Sequence, residues 1–387
     1  MADSPPAQPR AGVDYPRTLL EFGEFFPDEQ ACATYLERLR WVAGFVCPKG
    51  HVAAAAWRSD RGLSVCPTCR HQVSPTAGTI FEGTRKLRHW FLAAWEVTSQ
   101  KYGASALGIQ RTLGLGSYET AWAWLHKLRR AMVRPDRDQL SGDVEVDETY
   151  LGEEEPGVTG RRVINRAIVV IAVEMNEGRI GRIRLRLVPN VNAPSLQGFI
   201  VDVVKPGSLI HTDGWQGYAN IAKKGFRHHV TVTRTSSEPA HIPFPGVHRV
   251  ASLLKRWCLG TLQGGYSKEH LPYYLDEFTF RFNRRTSKAR GLLFYRLITQ
   301  AVRTSHVHTD ALFRANGPRP TPSGHARPQP VGGGGAKRIA LDGFMPCTLR
   351  TRGDRVTGAG GPWRRSAFNP SMGRREYHRR TTAAKPQ

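Results

Sequence analysis

The chain has 387 residues, a formal net charge of +24 and 40% hydrophobic residues. That length predicts two or three domains with a folded interior, and so positive a balance calls for an acidic partner, of which a polyphosphate is the simplest. The longest uninterrupted apolar run, 167–173, is far shorter than the roughly 18 residues a bilayer span needs, and the Pro-rich start, with its Asp3, lacks the basic-then-apolar order of a secretory signal; both argue against a membrane or secreted protein.

Residues 1–17 are Pro-rich with little apolar pattern and are expected to form a disordered leader. From Thr18 to Val46 the pattern is amphipathic and helical. Residues 47–80 are short, turn-rich and hold Cys47, Cys66 and Cys69, whereas Cys32, Cys258 and Cys347 are scattered. An uneven distribution of six cysteines points to a local metal site in a reducing compartment, not to a disulfide scaffold. Cys47-Pro-Lys-Gly-His51 and Cys66-Pro-Thr-Cys69 form two knuckles that suit a zinc ribbon, which with the preceding helix makes up the region 18–85, with Cys47, His51, Cys66 and Cys69 as ligands of a structural Zn²⁺. The first knuckle is C-x3-H instead of C-x2-C, so His51 is the weakest assignment and His71 the alternative.

Region 86–140 has helical periodicity, with Trp90, Phe91, Ala94 and Trp95 on one stripe and Ala121, Trp122, Leu125, Leu128 and Met132 on another. Ser105 is placed to cap a helix to Leu113, Gly114-Leu-Gly116 to turn, and Ser117 to cap a second helix to about Val133, which together read as a helix-turn-helix. His126, Lys127, Arg129 and Arg130 on the second helix suit phosphate contact. A plain helical hairpin with solvated basic residues is the competing reading, and the adjacent ribbon and the overall charge favour DNA.

After Gly142 the pattern changes. Val144 and Val146, then 168–173, then Ile180, Ile183, Leu185 and Leu187 predict three strands, the last two joined by a tight turn at 176–178. A helix at 194–204, a short strand at 208–210 and helices at about 246–259 and 268–285 complete an α/β or α+β domain with a mixed sheet over 141–302. On the last helix Leu271, Tyr274, Leu275, Phe278 and Phe282 form the apolar stripe, and Arg281, Arg284 and Arg285 are either solvated or DNA-facing. From 303 to 387 the chain is basic, rich in Gly and Pro, and expected to be disordered. Asp147 in one strand and Asp213 at the end of another are candidates to hold paired divalent cations for phosphoryl transfer, although each would also serve as a turn or strand-end cap.

The blocks 79–81, 117–122 (Ser-Tyr-Glu-Thr-Ala-Trp), 144–150 (Val-Glu-Val-Asp-Glu-Thr-Tyr), 211–215 (His-Thr-Asp-Gly-Trp), 252–257 and 274–278 with 281–285 occur in order. From about Leu19 to Val302 the chain strongly resembles the ISXO-like insertion-sequence transposases of bacteria. The resemblance implies a zinc ribbon, a helix-turn-helix and a DDE-type, ribonuclease-H-like catalytic domain acting with Mg²⁺ or Mn²⁺. By the same resemblance Asp147 and Asp213 are the first two catalytic carboxylates. The third position lies seven residues before a lysine, Lys255, and is His248, where many relatives carry Glu; Glu238 is the alternative third carboxylate. Lys255 and Arg256 would hold a DNA phosphate. The implied protein binds element ends and target DNA as a homo-oligomer in the bacterial cytoplasm, at the nucleoid. A DNA-binding regulator that does not cut, and a metal-dependent nuclease acting on RNA or branched DNA, are the rival readings.

Overall fold

The computed structural model describes residues 8–134, 137–152, 165–232 and 244–313. The chain divides into two compact units, Met1–Pro330 and Val331–Gln387, and the second lies wholly outside the described residues, as do Glu238 and the Gly/Pro-rich run expected to be disordered.

Helices α1 (Leu19–Phe25) and α2 (Glu29–Arg40) start where Thr18 and Asp28 accept the N–H groups of Glu21 and Ala31. Five two-residue strands follow, β1 (Phe45–Val46), β2 (Val52–Ala53), β3 (Trp57–Arg58), β4 (Ser64–Val65) and β5 (Gln72–Val73), paired as an antiparallel hairpin and an antiparallel three-stranded sheet. Next come α3 (Leu87–Ser99), α4 (Ala106–Leu113) and α5 (Tyr118–Ala131). Ser105 and Ser117 cap α4 and α5 through Gly108 and Thr120, and Gly114 ends α4 at φ 60°, a left-handed conformation that suits glycine.

The sheet is built from β6 (Asp143–Leu151), β7 (Ala167–Asn176), β8 (Arg179–Val188), β9 (Leu209–Thr212) and β10 (Arg227–Val230), with α6 (Ala193–Val203) between β8 and β9. The strand order is β10-β9-β6-β7-β8; the first three pair in parallel and the last three antiparallel. Glu177 and Gly178 both have positive φ between the paired Asn176 and Arg179, the two-residue turn that matches strand twist. β7 is buried on both faces, which explains its unbroken apolar run. Val144, Val146, Val170 and Ala172 pack with Phe199 and Ile200 of α6 on one face. Val169, Ile171 and Val173 pack on the other against α7 (Pro245–Leu262) and α8 (Leu271–Phe282), through Val250, Leu254, Tyr274 and Phe278.

Three boundaries differ from the sequence expectation. Helix α9 (Arg290–Ala301) follows the sheet in sequence but packs with the front helices: Phe294, Leu297 and Ile298 share a core with Phe22, Phe26, Leu36, Phe91 and Trp95. The expected leader is structured from well before residue 17, since Tyr15 is buried against Tyr295 and Tyr35 donates to the Asp14 carbonyl. The chain also stays folded past Val302. Ser305 bridges to Thr79, and α10 (Thr309–Phe313) buries Leu312 and stacks Phe313 on Trp122. The leader and the segment past Val302 each carry only one or two apolar anchors, too few to register as periodicity.

Candidate functional site

The four ribbon ligands converge. The ligand atoms of Cys47, His51, Cys66 and Cys69 all lie within 4.8 Å of one another, and the Cys47 and Cys69 sulfurs are 3.7 Å apart. Each knuckle is closed by its backbone: Cys47 N–H donates to the His51 carbonyl, Gly50 N–H to Cys47, Cys66 N–H to His71 and Arg70 N–H to Cys66. Gly50 and Arg70 take the positive φ these tight turns need. His71 thus contributes its carbonyl and stands outside the ligand group, and His51 is the histidine that joins. His51 Nδ1 is buried without a hydrogen-bond partner, which fits an imidazole facing a metal. Burial pushes the Cys66 thiol up, but the N–H groups of Cys69 and Thr68 and the neighbouring sulfurs outweigh it and bring it down to about 7, toward the thiolate that Zn²⁺ takes. Cys32 and Cys258, pushed up to about 12 by burial, are inert core thiols.

The basic residues of α5 are a correction. Arg129 is 2% exposed and Lys127 8%. Arg129 Nε lies 2.8 Å from Glu277 Oε2 of α8, and its guanidinium sits 4.3 Å from the centre of the Tyr274 ring. His126 is fully buried, and Arg130 is half-buried. Arg129 and His126 are turned from solvent because α8 covers their side of α5, and Lys127 is buried as well. The outward residues are Tyr118, Glu119 and Thr120 at the start of α5, with Arg111 and Thr112 of α4. Arg281 and Arg285 likewise turn back onto the protein, donating to the carbonyls of Gln100 and Lys101 and of Ile180 and Gly181; Arg284 donates to Phe280 O and covers the Phe280 ring.

The carboxylates lie on neighbouring parallel strands. β6 pairs with β9 as Asp143 with Leu209, Val144 with Ile210 and Glu145 with His211. The ladder ends there; Asp147 lies two residues further along β6 and Asp213 just past the end of β9, and both act on the Tyr218 hydroxyl. Val144, Val146 and Ile210 face α6, so strand alternation turns Glu145 and Asp147 of β6, and His211 of β9, toward α7. Asp147 Oδ1 accepts the N–H of Glu148 at 2.8 Å, and Asp213 Oδ1 that of Trp215 at 3.0 Å, so Asp213 also makes the turn that its sequence context allowed. Burial pushes the Tyr218 hydroxyl well above its ordinary value, and the fields of Glu148, Asp147 and Asp213 add to this. Tyr218 donates to Glu148 Oε2 at 3.0 Å.

Glu145, which sits in the 144–150 block but was given no role from the sequence, fixes the helix that carries the third candidate. Its buried carboxylate accepts the N–H groups of Val247 (2.9 Å) and Gly246 at the start of α7. Gly246 permits this approach, since a Cβ there would lie 2.9 Å from Glu145 Oε2 and 2.7 Å from Met175 Sδ. The next residue is His248, half-buried, and two turns on are Lys255 and Arg256, both exposed. The only signal in the sequence was an acidic residue at a strand position that alternation buries. Among the described residues the four ribbon ligands are the group of His, Cys, Asp and Glu side chains that converges as a metal site; by residue type alone, two carboxylates and an imidazole suit Mg²⁺ or Mn²⁺, the imidazole Mn²⁺ better.

Among the described residues no helix is long and apolar enough to cross a membrane. Residues 139–283 match the family model of the ISXO2-like transposase domain, and residues 27–72 that of the transposase zinc-ribbon domain. An uncharacterized transposase-like protein of Haemophilus influenzae is 30% identical over 114 residues, 29% of this chain and 89% of that protein. Two solved structures align distantly. One is the simian T-cell lymphotropic virus intasome in complex with PP2A regulatory subunit B56 gamma, at 14% identity and TM-score 0.26, over 48% of this chain and 67% of that one. The other is the Mos1 strand transfer complex, at 10% identity and TM-score 0.20, over 55% and 75%. Scores this low carry no argument. The ordered match of a zinc ribbon followed by a transposase catalytic domain does: the chain belongs to the ISXO2-like transposase family.

Proposed function

We propose that the chain is a metal-dependent DNA transposase that binds the terminal inverted repeats of an insertion sequence, hydrolyses a phosphodiester at each end and transfers the freed 3′-hydroxyl to target DNA. That Asp147 on β6 and Asp213, just past the end of the neighbouring parallel strand β9, both act on the Tyr218 hydroxyl is the observation that supports the reading. An antiparallel β6–β7–β8 meander extended by two parallel strands supports a ribonuclease-H-like domain, and the capped α4–Gly114–α5 unit supports a helix-turn-helix that meets DNA through the exposed start of α5.

In this reading Asp147, Asp213 and His248 hold the divalent ions, which supply nucleophile activation and charge stabilisation at the scissile phosphate. Glu145 positions His248 by fixing the start of α7. Lys255 and Arg256, exposed on that helix, hold the strand by its phosphates. In hydrolysis water attacks phosphorus, the bond to the 3′ oxygen breaks, and that oxygen leaves as the hydroxyl. In transfer the same oxygen attacks a target phosphorus in line and displaces the target's own 3′ oxygen, so no covalent enzyme intermediate is needed.

The test is cleavage and strand transfer on end-containing DNA with Mg²⁺ or Mn²⁺. Asp147→Ala and Asp213→Ala should each lower the rate by about 10³-fold or more while leaving DNA binding intact. A second reading, a regulator that binds without cutting, is favoured by the histidine at position 248; binding with no metal-dependent cleavage in the wild-type chain would establish it.

A further inference from the structure

A cleft of about 190 Å³ lies at the junction of the C-terminal end of α5, the approach to β6, β8, α8 and α9. Six arginines line it (Arg134, Arg137, Arg182, Arg184, Arg284 and Arg296) against two carboxylates, Asp138 and Asp276. Arg184 is 5% exposed, and its hydrogen-bond partners are the carbonyls of Ile183 and Asp138. Arg284 is bound to Phe280 O and the Phe280 ring, with its Nε buried and unpartnered. Neither guanidinium has a carboxylate within ion-pair distance among the described residues. Asp138 is itself 78% exposed and reaches Arg134 and Arg182 only at 3.9 and 3.8 Å. Burial, together with Arg137 and Arg182, lowers Arg184 to about 10, and burial, with Arg296 and Arg134, lowers Arg284 to about 10. Arg182 is paired with Glu174 at 2.7 Å, so the charge that lacks a carboxylate partner among the described residues sits on Arg184 and Arg284, and buried charge without a counter-ion is costly.

We propose that this cleft is a phosphate-binding site that seats the backbone of a nucleic-acid strand where the helical region meets the sheet. Guanidinium forks are suited to a phosphodiester, offering paired donors to its two free oxygens. A strand held here would be gripped by α5, α9 and the outer strand β8 together, so its binding would couple the helix-turn-helix to the sheet. The assignment rests on the DNA reading above, but its site is separate from Asp147, Asp213 and α7.

The experiment uses the full chain and a fluorescent generic duplex, titrated across NaCl concentrations without divalent metal. Arg284→Gln/Arg296→Gln should flatten the slope of log K against log [NaCl] by about 1–2, as expected when one or two phosphates are no longer neutralised. Arg134→Gln/Arg296→Gln, confined to exposed rim positions, should flatten it too, which guards against misfolding of the first variant. A second arm measures melting temperature in inorganic phosphate against chloride at matched ionic strength. Phosphate protection abolished in both variants, with the DNA slope unchanged, assigns the cleft to free phosphate and overturns the strand assignment. No change in either arm overturns the site altogether. A wild-type chain that binds no DNA overturns the function reading, and the phosphate arm still judges the cleft.

Discussion

Arg129 Nε lies 2.8 Å from Glu277 Oε2, with the two side chains 2% and 0% exposed, and this pair bolts α5 to α8 across 148 residues of sequence. Arg281 adds a second cation 3.5 Å from Glu277 Oε1. Removing one partner leaves an uncompensated charge in the interior, so Arg129→Ala or Glu277→Leu should each cost about 3–5 kcal/mol. Urea unfolding measures it; a loss below about 1 kcal/mol would mean that the pair is solvated.

The ribbon should depend on its metal. Its own apolar core is only Phe45, Cys47, Cys66 and Val73 with a few partly buried neighbours, too small to hold five two-residue strands without a staple. Elemental analysis should find one Zn²⁺ per chain. Chelation or Cys66→Ser should open 45–73 to protease while the circular dichroism of the sheet persists. An unchanged protease pattern after metal removal would contradict this.

Glu145 should matter to both stability and rate. Glu145→Ala orphans the Gly246 and Val247 N–H groups, at a cost of about 1–3 kcal/mol. By loosening the start of α7 it should also slow cleavage by about 10–100-fold with little change in DNA affinity. Gly246→Ala should reproduce the rate defect by pressing on the same carboxylate. Wild-type rates in both variants would remove Glu145 from its positioning role.

Acid stability should respond to Glu174. Burial pushes this carboxyl up, but the Arg182 guanidinium, 2.7 Å away, and the Ser141 N–H outweigh it and hold it below the ordinary carboxylate value. A depressed folded-state value means that the folded chain binds fewer protons than the unfolded one. The stabilisation is therefore present above the unfolded value, about 4.3, and disappears as pH falls through the lower folded value. The stability gap between wild type and Glu174→Gln should be widest near pH 6–7 and narrow below about pH 4. A gap constant with pH would show that the carboxylate's charge contributes nothing.

His248→Glu separates ligation from coincidence. In the proposed site, a carboxylate at this position on the first turn of α7 would ligate in the imidazole's place and add charge. Strand transfer should be equal to or above wild type, with a shift from Mn²⁺ toward Mg²⁺ preference. Complete loss of transfer by a folded, DNA-binding variant would take His248 out of the metal site.

The sequence alone determined the locally encoded features. Ser105, Gly114 and Ser117 delimit α4 and α5 because caps and left-handed glycines act within one turn of chain. The cysteine knuckles announced the ribbon because its ligands come from two short turns, and the β-branched run 168–173 announced a strand. Only the tertiary structure decided which side of α5 is covered, that α9 joins the front helices, that Tyr15 and Leu312 are anchored, and that Glu145 fixes the start of α7. Each of these depends on a partner many tens of residues away. An arginine on a helix reads as solvated until a glutamate from elsewhere in the chain is set against it, because burial and charge pairing are properties of the packed whole and leave no periodic trace in either segment.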